Sequence, residues 1–406
     1  MKIVIVGGGI GGLAAALACA NTGHEIQVLE RRDEFTEIGA GIQLAPNAFH
    51  ALDHLGIGDR VRELAVKIDE LRLMDGVEGG LITHLPLGDN YQDTFENPYM
   101  VVHRTDLYYP LLDACRAHPA IKLRTSCAVT GYTQSDTDAL VQMANGPSVI
   151  ADAVVGADGI GSTIRQQLVG DGAPRVSGHS IYRSVIPMDK VPEDLRWNSV
   201  TLWAGPKWHF VHYPIAGGKY MNLAATRDDR ATQAVVNEAT SHSKVLAKFT
   251  ELNAEAQRLL RLGEGWKKWV LCDRDPVNVW TDGRVALLGD AAHPMLQYAA
   301  QGACMALEDA VVLGTLLKEA KNTSVATRMV EYNAIRRDRT ARVVNIAREM
   351  GEQVYHVAGD AAKERNAQLG SLAPHELHRK IDWLHGMRAP FIEETPSEQA
   401  VIQKTA

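Results

Sequence analysis

Gly7, Gly9 and Gly12, with an acid at Glu30 further along, have the types and spacing to hold a dinucleotide. Gly7 permits a tight turn. Gly9 lets the backbone approach a pyrophosphate, and Gly12 lets a helix pack closely on a strand. The phosphates would rest on a helix N-terminus, where free amides and the helix dipole favour an anion. Glu30 can accept hydrogen bonds from ribose hydroxyls. The surrounding text has the required order. Lys2-Ile3-Val4-Ile5-Val6 reads as a buried parallel strand, Leu13 to Ala20 as a helix, Asn21 to His24 as a turn and Glu25 to Glu30 as a second strand. The pattern does not separate NAD from FAD.

Two later segments repeat the design of strand, glycine and acid: Val155-Gly156-Ala157-Asp158-Gly159 and Leu288-Gly289-Asp290. In an open α/β sheet such segments lie at strand C-terminal ends, where ligands bind. Three around one crevice point to a long ligand in two parts. Other chemistries lack their signatures. No G-x-S-x-G occurs, and no His/Cys group has metal-ligand spacing. The acid pair Glu308-Asp309 reads as a solvent-facing or neighbour-capping pair on a helix.

The elements that must position these residues fit within 406 residues, enough for two or three domains. The composition is 46% hydrophobic and 22% charged, which excludes a disordered chain, a collagen-like repeat and a coiled-coil rod. Net charge is 42 − 49 = −7 with no basic stripe, which argues against a nucleic-acid partner. The five cysteines are scattered without C-x-x-C, so no disulfide framework or zinc site is expected and a reducing compartment, the cytoplasm, fits. The uncharged run Ile3 to Ala20 imitates a signal peptide, but its glycines would break a continuous apolar helix. No membrane span is expected.

The fold expected is α/β. A Rossmann-like dinucleotide domain comprises residues 1–68, 101–174 and 276–350. Inserted in it is a mixed-sheet domain of residues 69–100 and 175–275, rich in strand aromatics such as Trp203, Trp208, Phe210 and Tyr213. One helix is expected from about Ser243 to Leu262. A helical tail spans 351–406, with a helix over Glu376 to His385 and an unstructured end.

Read together, Gly7-Gly8-Gly9-Ile10-Gly11-Gly12, Gly156-Ala157-Asp158-Gly159 and Leu288-Gly289-Asp290-Ala291-Ala292-His293-Pro294 resemble the class A flavoprotein aromatic hydroxylases, of the para-hydroxybenzoate hydroxylase fold. The resemblance covers nearly the whole chain. Asn97-Pro98-Tyr99, Trp208 to Pro214 and Leu296-Gln297-Tyr298 look most like the branch that hydroxylates 3-hydroxybenzoate. Salicylate hydroxylases and 6-hydroxynicotinate 3-monooxygenases look like more distant branches.

The resemblance gives the fingerprint to FAD and leaves NADH or NADPH as a transient co-substrate. It implies that Gly7, Gly9, Gly12 and Glu30 hold the ADP half. Gly41 and Arg104 would lie on the flavin side, Asp158 near the pyrophosphate, and Gly289 and Asp290 at the ribityl chain. Gly302 and Ala303 would open a helix whose amides face the flavin O2 edge and stabilise negative charge there. The implied reaction hydroxylates a small aromatic acid with O2, 3-hydroxybenzoate giving 2,5-dihydroxybenzoate. A homodimer is the family's habit.

Such chemistry needs a base, because a phenolate is a better nucleophile than a phenol. His209 and Tyr213 are four apart, on one face of a strand. The imidazole would take the proton and the tyrosine would hold the phenolate oxygen. Gln297 and Tyr99 would orient the ring or its carboxylate. A non-catalytic flavin-binding redox sensor is the alternative of another class; it needs no such base.

Overall fold

The computed structural model describes residues 1–37 and 39–392. The first strands form because β-branched residues buried on both faces suit a parallel sheet. Six strands lie in the order Thr281–Asp282, Val285–Leu287, Ala153–Gly156, Lys2–Val6, Glu25–Leu29, Ile121–Arg124, all pairs parallel except the first. Their residues come only from 1–68, 101–174 and 276–350. The helices Ile10–Asn21 and Gly302–Leu317 cross tightly: a Cβ on Gly314 would lie 2.8 Å from the Ala18 side chain.

A second sheet has eight strands, in the order Glu238–Ala239, Lys267–Asp273, Arg175–Pro187, Tyr220–Asp228, Trp208–Ile215, Ser199–Gly205, Glu70–Asp75, Leu81–Pro86. These come from 69–100 and 175–275. Alternation along Trp208–Ile215 sorts its two faces. Trp208 and Phe210 join Tyr182, Trp203 and Leu223 against the helices His242–Lys248 and Ala254–Leu260. His209, Val211 and Tyr213 point to the opposite face, toward the first domain's loops.

Three local expectations change. The helix expected over Ser243 to Leu262 is two helices, because the Asn253 side chain accepts from the amides of Glu255 and Ala256 and starts a new one. Residues 69–100 are not all strand: Asp89–Phe95 is helical, with Tyr91 and Phe95 on one face and their rings 4.7 Å apart. The tail helix starts earlier, at Pro374, and is preceded by Gly359–Gly370 and by a wide π turn, Met350–Tyr355. The expected unstructured end falls largely outside the described residues. Among the described residues no helix is long and apolar enough to cross a membrane, and the five cysteines are free.

Candidate active site

The glycines of the fingerprint have separable roles. A Cβ on Gly7 would lie 2.3 Å from the Ala157 carbonyl oxygen, and one on Gly12 only 2.0 Å from the Gly7 oxygen. Gly7 also has φ of +108°, in the region that favours glycine. These two glycines let the turn close on the neighbouring strand. At Gly9 a Cβ would meet nothing within 4 Å. Gly9 is the N-cap of the helix Ile10–Asn21, and no side chain caps its amides. The space over Gly9 and the free amides form a cradle of the kind that takes a pyrophosphate. Glu30 accepts from the amides of Gly8, at 2.8 Å, and Arg32, at 3.0 Å. Each carboxylate oxygen keeps a lone pair for a ribose hydroxyl.

Asp158 spends its carboxylate on its own loop. It accepts from Ser162 Oγ at 2.5 Å and from the Thr163 amide at 2.7 Å, and its Cα lies 2.9 Å from where a Gly7 Cβ would stand. Burial raises its pKa despite these hydrogen bonds. Asp290 is exposed, and its carboxylate faces the start of the helix Gly302–Leu317, 4.0 Å from a Cβ on Gly302. That helix begins with Gly302 and Ala303 after Gln301, without a side-chain cap. Gly289 adopts φ of +59° and its amide donates to Asp309 Oδ2 at 3.0 Å. Arg104 opens the helix Arg104–Ala117, lies 3.0 Å from Glu37 and packs over Gly39. Open space at Gly9, uncapped helix starts and a free carboxylate at Asp290 fit the dinucleotide with a flavin head that the resemblance implies.

Of the two expectations for Glu308 and Asp309, the solvent-facing one fails, while Asp309 does cap a neighbour by accepting from the Gly289 amide. Both are fully buried. Arg336 bridges them at 2.7 Å to each, Arg339 adds to Glu308 at 2.8 Å, and His293 Nε2 lies 2.6 Å from Asp309. Asn47 donates to Glu308 Oε1 at 2.6 Å. Burial pushes the Asp309 carboxyl up, but His293 and Arg336 outweigh it and hold its pKa at about 2. The network ties the Gly289 loop to the helix that begins at Gly302.

On the sheet face beyond, register brings the remaining residues together. Arg183 pairs with Ala224, and Ala224 with Val211, which lies midway between His209 and Tyr213. Paired residues share a face, so Arg183, His209 and Tyr213 surround a floor of small residues, Ala224 and Val211. Tyr213 packs against Gly41, where a Cβ would lie 2.4 Å from its ring, and the Gly41 amide donates to Asn222 Oδ1 at 3.1 Å. Tyr99 joins Tyr213 in one packed cluster and donates to Gln43 Oε1 at 2.6 Å. Burial raises the Tyr213 pKa to about 12, with Arg183 and Gln43 working against it, so the hydroxyl is a donor at neutral pH.

His209 is 2% exposed and sits against Tyr298 and Tyr355, each with ring centroids at 5.2 Å. Its Nδ1 lies 2.8 Å from His356 Nε2. Burial, then His356 and His179, hold its pKa well below the usual imidazole range. It is neutral at pH 7 and able to accept a proton. Strand rise separates the Cα atoms of His209 and Tyr213 by about 13 Å. The expectation that both meet one phenolic oxygen is not what this spacing favours: the two side chains rise from well-separated points on the same face.

Sequence reasoning missed Arg183. Its Nη2 donates to Gln297 Oε1 at 2.5 Å, and its buried Nε has no partner. Burial lowers its pKa, and no described carboxylate forms an ion pair with it. The available signal was a lone charge within Ile181-Tyr182-Arg183-Ser184-Val185-Ile186. Gln43 and His356 carried no such signal.

Comparison with known proteins identifies the family. A family model described as an FAD binding domain matches residues 1–347. The chain is 45% identical over 385 residues to 3-hydroxybenzoate 6-hydroxylase 1 of Aquipseudomonas alcaligenes, covering 95% of this chain and 97% of that one. It is 44% identical over 388 residues to 3-hydroxybenzoate 6-hydroxylase of Klebsiella oxytoca, covering 96% and 97%. The structure of Klebsiella pneumoniae HpxO complexed with FAD and uric acid superposes with a TM-score of 0.84 at 24% identity, covering 95% and 96%, a likeness of fold alone.

Proposed function

The chain belongs to the FAD-binding domain family, as a class A flavoprotein aromatic hydroxylase, and on that premise we propose that it converts 3-hydroxybenzoate to 2,5-dihydroxybenzoate. It is an FAD-dependent monooxygenase; NADH or NADPH and O2 are its co-substrates in this reading. Gly7, Gly9, Gly12 and Glu30 hold the ADP half. Asp158, Gly289 and Asp290 line the middle, and Gly41, Arg104, Gly302 and Ala303 border the flavin. Bound and reduced, FAD supplies from O2 the electrophilic oxygen that the ring attacks.

The chain's own residues prepare the ring. His209 removes the phenolic proton at Nε2, since its Nδ1 faces His356. Deprotonation pushes electron density to the ortho and para carbons. Arg183 pairs with the carboxylate, assisted by donation from Tyr213, while Tyr99 orients that end of the site through its hydrogen bond to Gln43. Gln297, its Oε1 held by Arg183, offers its amide N–H groups to the ligand between the two ends. Tyr298, Tyr355 and the Ala224–Val211 floor exclude water. The observation that carries this reading is a buried histidine and, on the same sheet face, a half-buried guanidinium with an unpartnered Nε and no carboxylate partner among the described residues.

The enzyme acts in the cytoplasm, where five free cysteines persist, and as a homodimer. The test is NADH and NADPH oxidation over a panel of 3-hydroxybenzoate, salicylate and 6-hydroxynicotinate, with product identification. 2,5-Dihydroxybenzoate from 3-hydroxybenzoate supports the reading. Turnover confined to either of the other two overturns the substrate, and tightly bound FAD with no turnover of any points to the redox-sensor alternative.

A further inference from the structure

We propose that His356 is the outlet of a two-histidine relay that carries the phenolic proton from His209 to the surface. The inference rests on the assignment of His209 as the base. A proton left on His209 would form an imidazolium at 2% exposure, walled by the rings of Tyr298 and Tyr355. Such a charge is poorly solvated, so a base placed here needs a way to pass the proton on.

The geometry supplies one way out. His209 Nδ1 and His356 Nε2 lie 2.8 Å apart, and the two rings stack with centroids at 5.0 Å. His356 is half-buried, at the end of the π turn Met350–Tyr355. A wide turn of this kind reorients the side chains that follow it, and such turns recur at functional sites. Here it places Tyr355 as a wall and His356 as the next group in line. The backbone fixes the ring's origin from both sides: the His356 oxygen accepts from the Lys207 amide and its amide donates to the Gly351 oxygen. Facing the pair are His179 on the strand Arg175–Pro187, its ring 4.9 Å from His356 and its Nδ1 2.6 Å from Tyr298 Oη, and Asp228 on the strand Tyr220–Asp228. Glu352, on the same turn, and Arg175 flank His179. Asp228 favours a passing positive charge, while burial and His179 disfavour a resident one. His356 therefore transmits a proton rather than storing it.

The proton count balances. The substrate O–H gives its proton to His209 Nε2. His209 Nδ1–H passes its own to His356 Nε2, and His356 Nδ1–H releases one to water. One proton leaves the substrate, one enters solvent, and both imidazoles end neutral with exchanged tautomers. Reprotonation of the product phenolate runs the path backwards and restores them.

The test uses the FAD-loaded enzyme in weak buffer with a pH indicator and rapid mixing with 3-hydroxybenzoate. Wild type should release a proton on binding. His356→Asn and His356→Phe should keep FAD, be reduced by NADH as wild type is, and release the proton about tenfold more slowly or worse, toward the 10²–10⁴ loss of a missing base. Their ratio of product to NADH consumed should fall at neutral pH and recover as pH rises. Release at the wild-type rate in both variants, or an active wild type that releases no proton, overturns the relay while leaving the hydroxylase reading intact. Failure of wild type to hydroxylate any hydroxybenzoate overturns the reading beneath it. Two variants of different size guard against a folding defect in one.

Discussion

Arg183 donates to Gln297 Oε1 at 2.5 Å, and that amide oxygen is the guanidinium's one hydrogen-bond acceptor among the described residues. A half-buried cation without a counter-ion is poorly compensated, and an anionic ligand supplies the missing charge. Arg183→Met should therefore raise the KM for 3-hydroxybenzoate. Loss of a charged hydrogen bond is worth about 1.5–3 kcal/mol, or roughly ten- to hundredfold. The KM for the neutral 3-hydroxybenzamide should move far less. Equal loss for both compounds would make Arg183 a packing residue.

Gly9 and Gly12 should separate binding from folding. Gly9→Val adds a side chain to open space, so the apoprotein should fold with a thermal midpoint near wild type. It should purify colourless, because the side chain occupies the cradle over the helix start. Gly12→Ala puts a Cβ 2.0 Å from the Gly7 oxygen and should fold poorly even without cofactor. Flavin absorbance per chain and a melting curve of each apoprotein decide the matter. Full FAD content in Gly9→Val would move the pyrophosphate elsewhere.

Local text carried the opening strand–helix–strand unit, because Gly7, Gly9, Gly12 and Glu30 lie within it at a spacing fixed by backbone geometry. The glycine–acid turns at Asp158 and Asp290 were legible as turns for the same reason. Along Trp208–Ile215, alternation showed that His209 and Tyr213 share a face. It could not show that Arg183, two strands away, stands level with Val211, since that follows from strand pairing across long loops. The burial of Glu308 and Asp309 was hidden because their partners, Arg336 and Arg339, lie on a helix that meets them only in the folded chain. Residue type alone left that pair reading as solvent-facing or neighbour-capping.

That buried network should set the acid limit of stability. Asp309 has its pKa held at about 2 in the fold, against about 3.9 unfolded. Its contribution, on the order of 2–3 kcal/mol, is complete above the unfolded value and is lost as pH falls toward 2. Glu308, also lowered, contributes with the same sign. Urea denaturation of wild type should show stability falling steeply below about pH 4. Asp309→Asn should start lower at neutral pH, because the amide leaves Arg336 undercompensated, and should lose less over the acid range. An unchanged acid slope would assign the pH dependence to other carboxylates.

His209 gives the most direct test of the chemistry. As a buried neutral imidazole whose Nδ1 faces His356, it has Nε2 left for the phenol. His209→Ala should retain FAD and be reduced by NADH, since nothing in the dinucleotide cradle depends on it. Oxygen transfer should slow by about 10²–10⁴, because a neutral phenol is a weak nucleophile. Reducing equivalents would then go to H2O2, so NADH consumption should exceed product. Raising the pH should partly restore hydroxylation, as solvent deprotonates more of the substrate. The sign follows from the missing base and not from titration of His209 itself, whose pKa lies well below neutral and leaves the wild-type ratio flat across that range. Tyr213→Phe should differ in kind: placed at the far end of the ring, it should raise KM and leave the ratio near wild type. The measurement is 2,5-dihydroxybenzoate formed per NADH consumed, across pH, in all three proteins. Wild-type coupling in His209→Ala at neutral pH would remove this histidine from the mechanism.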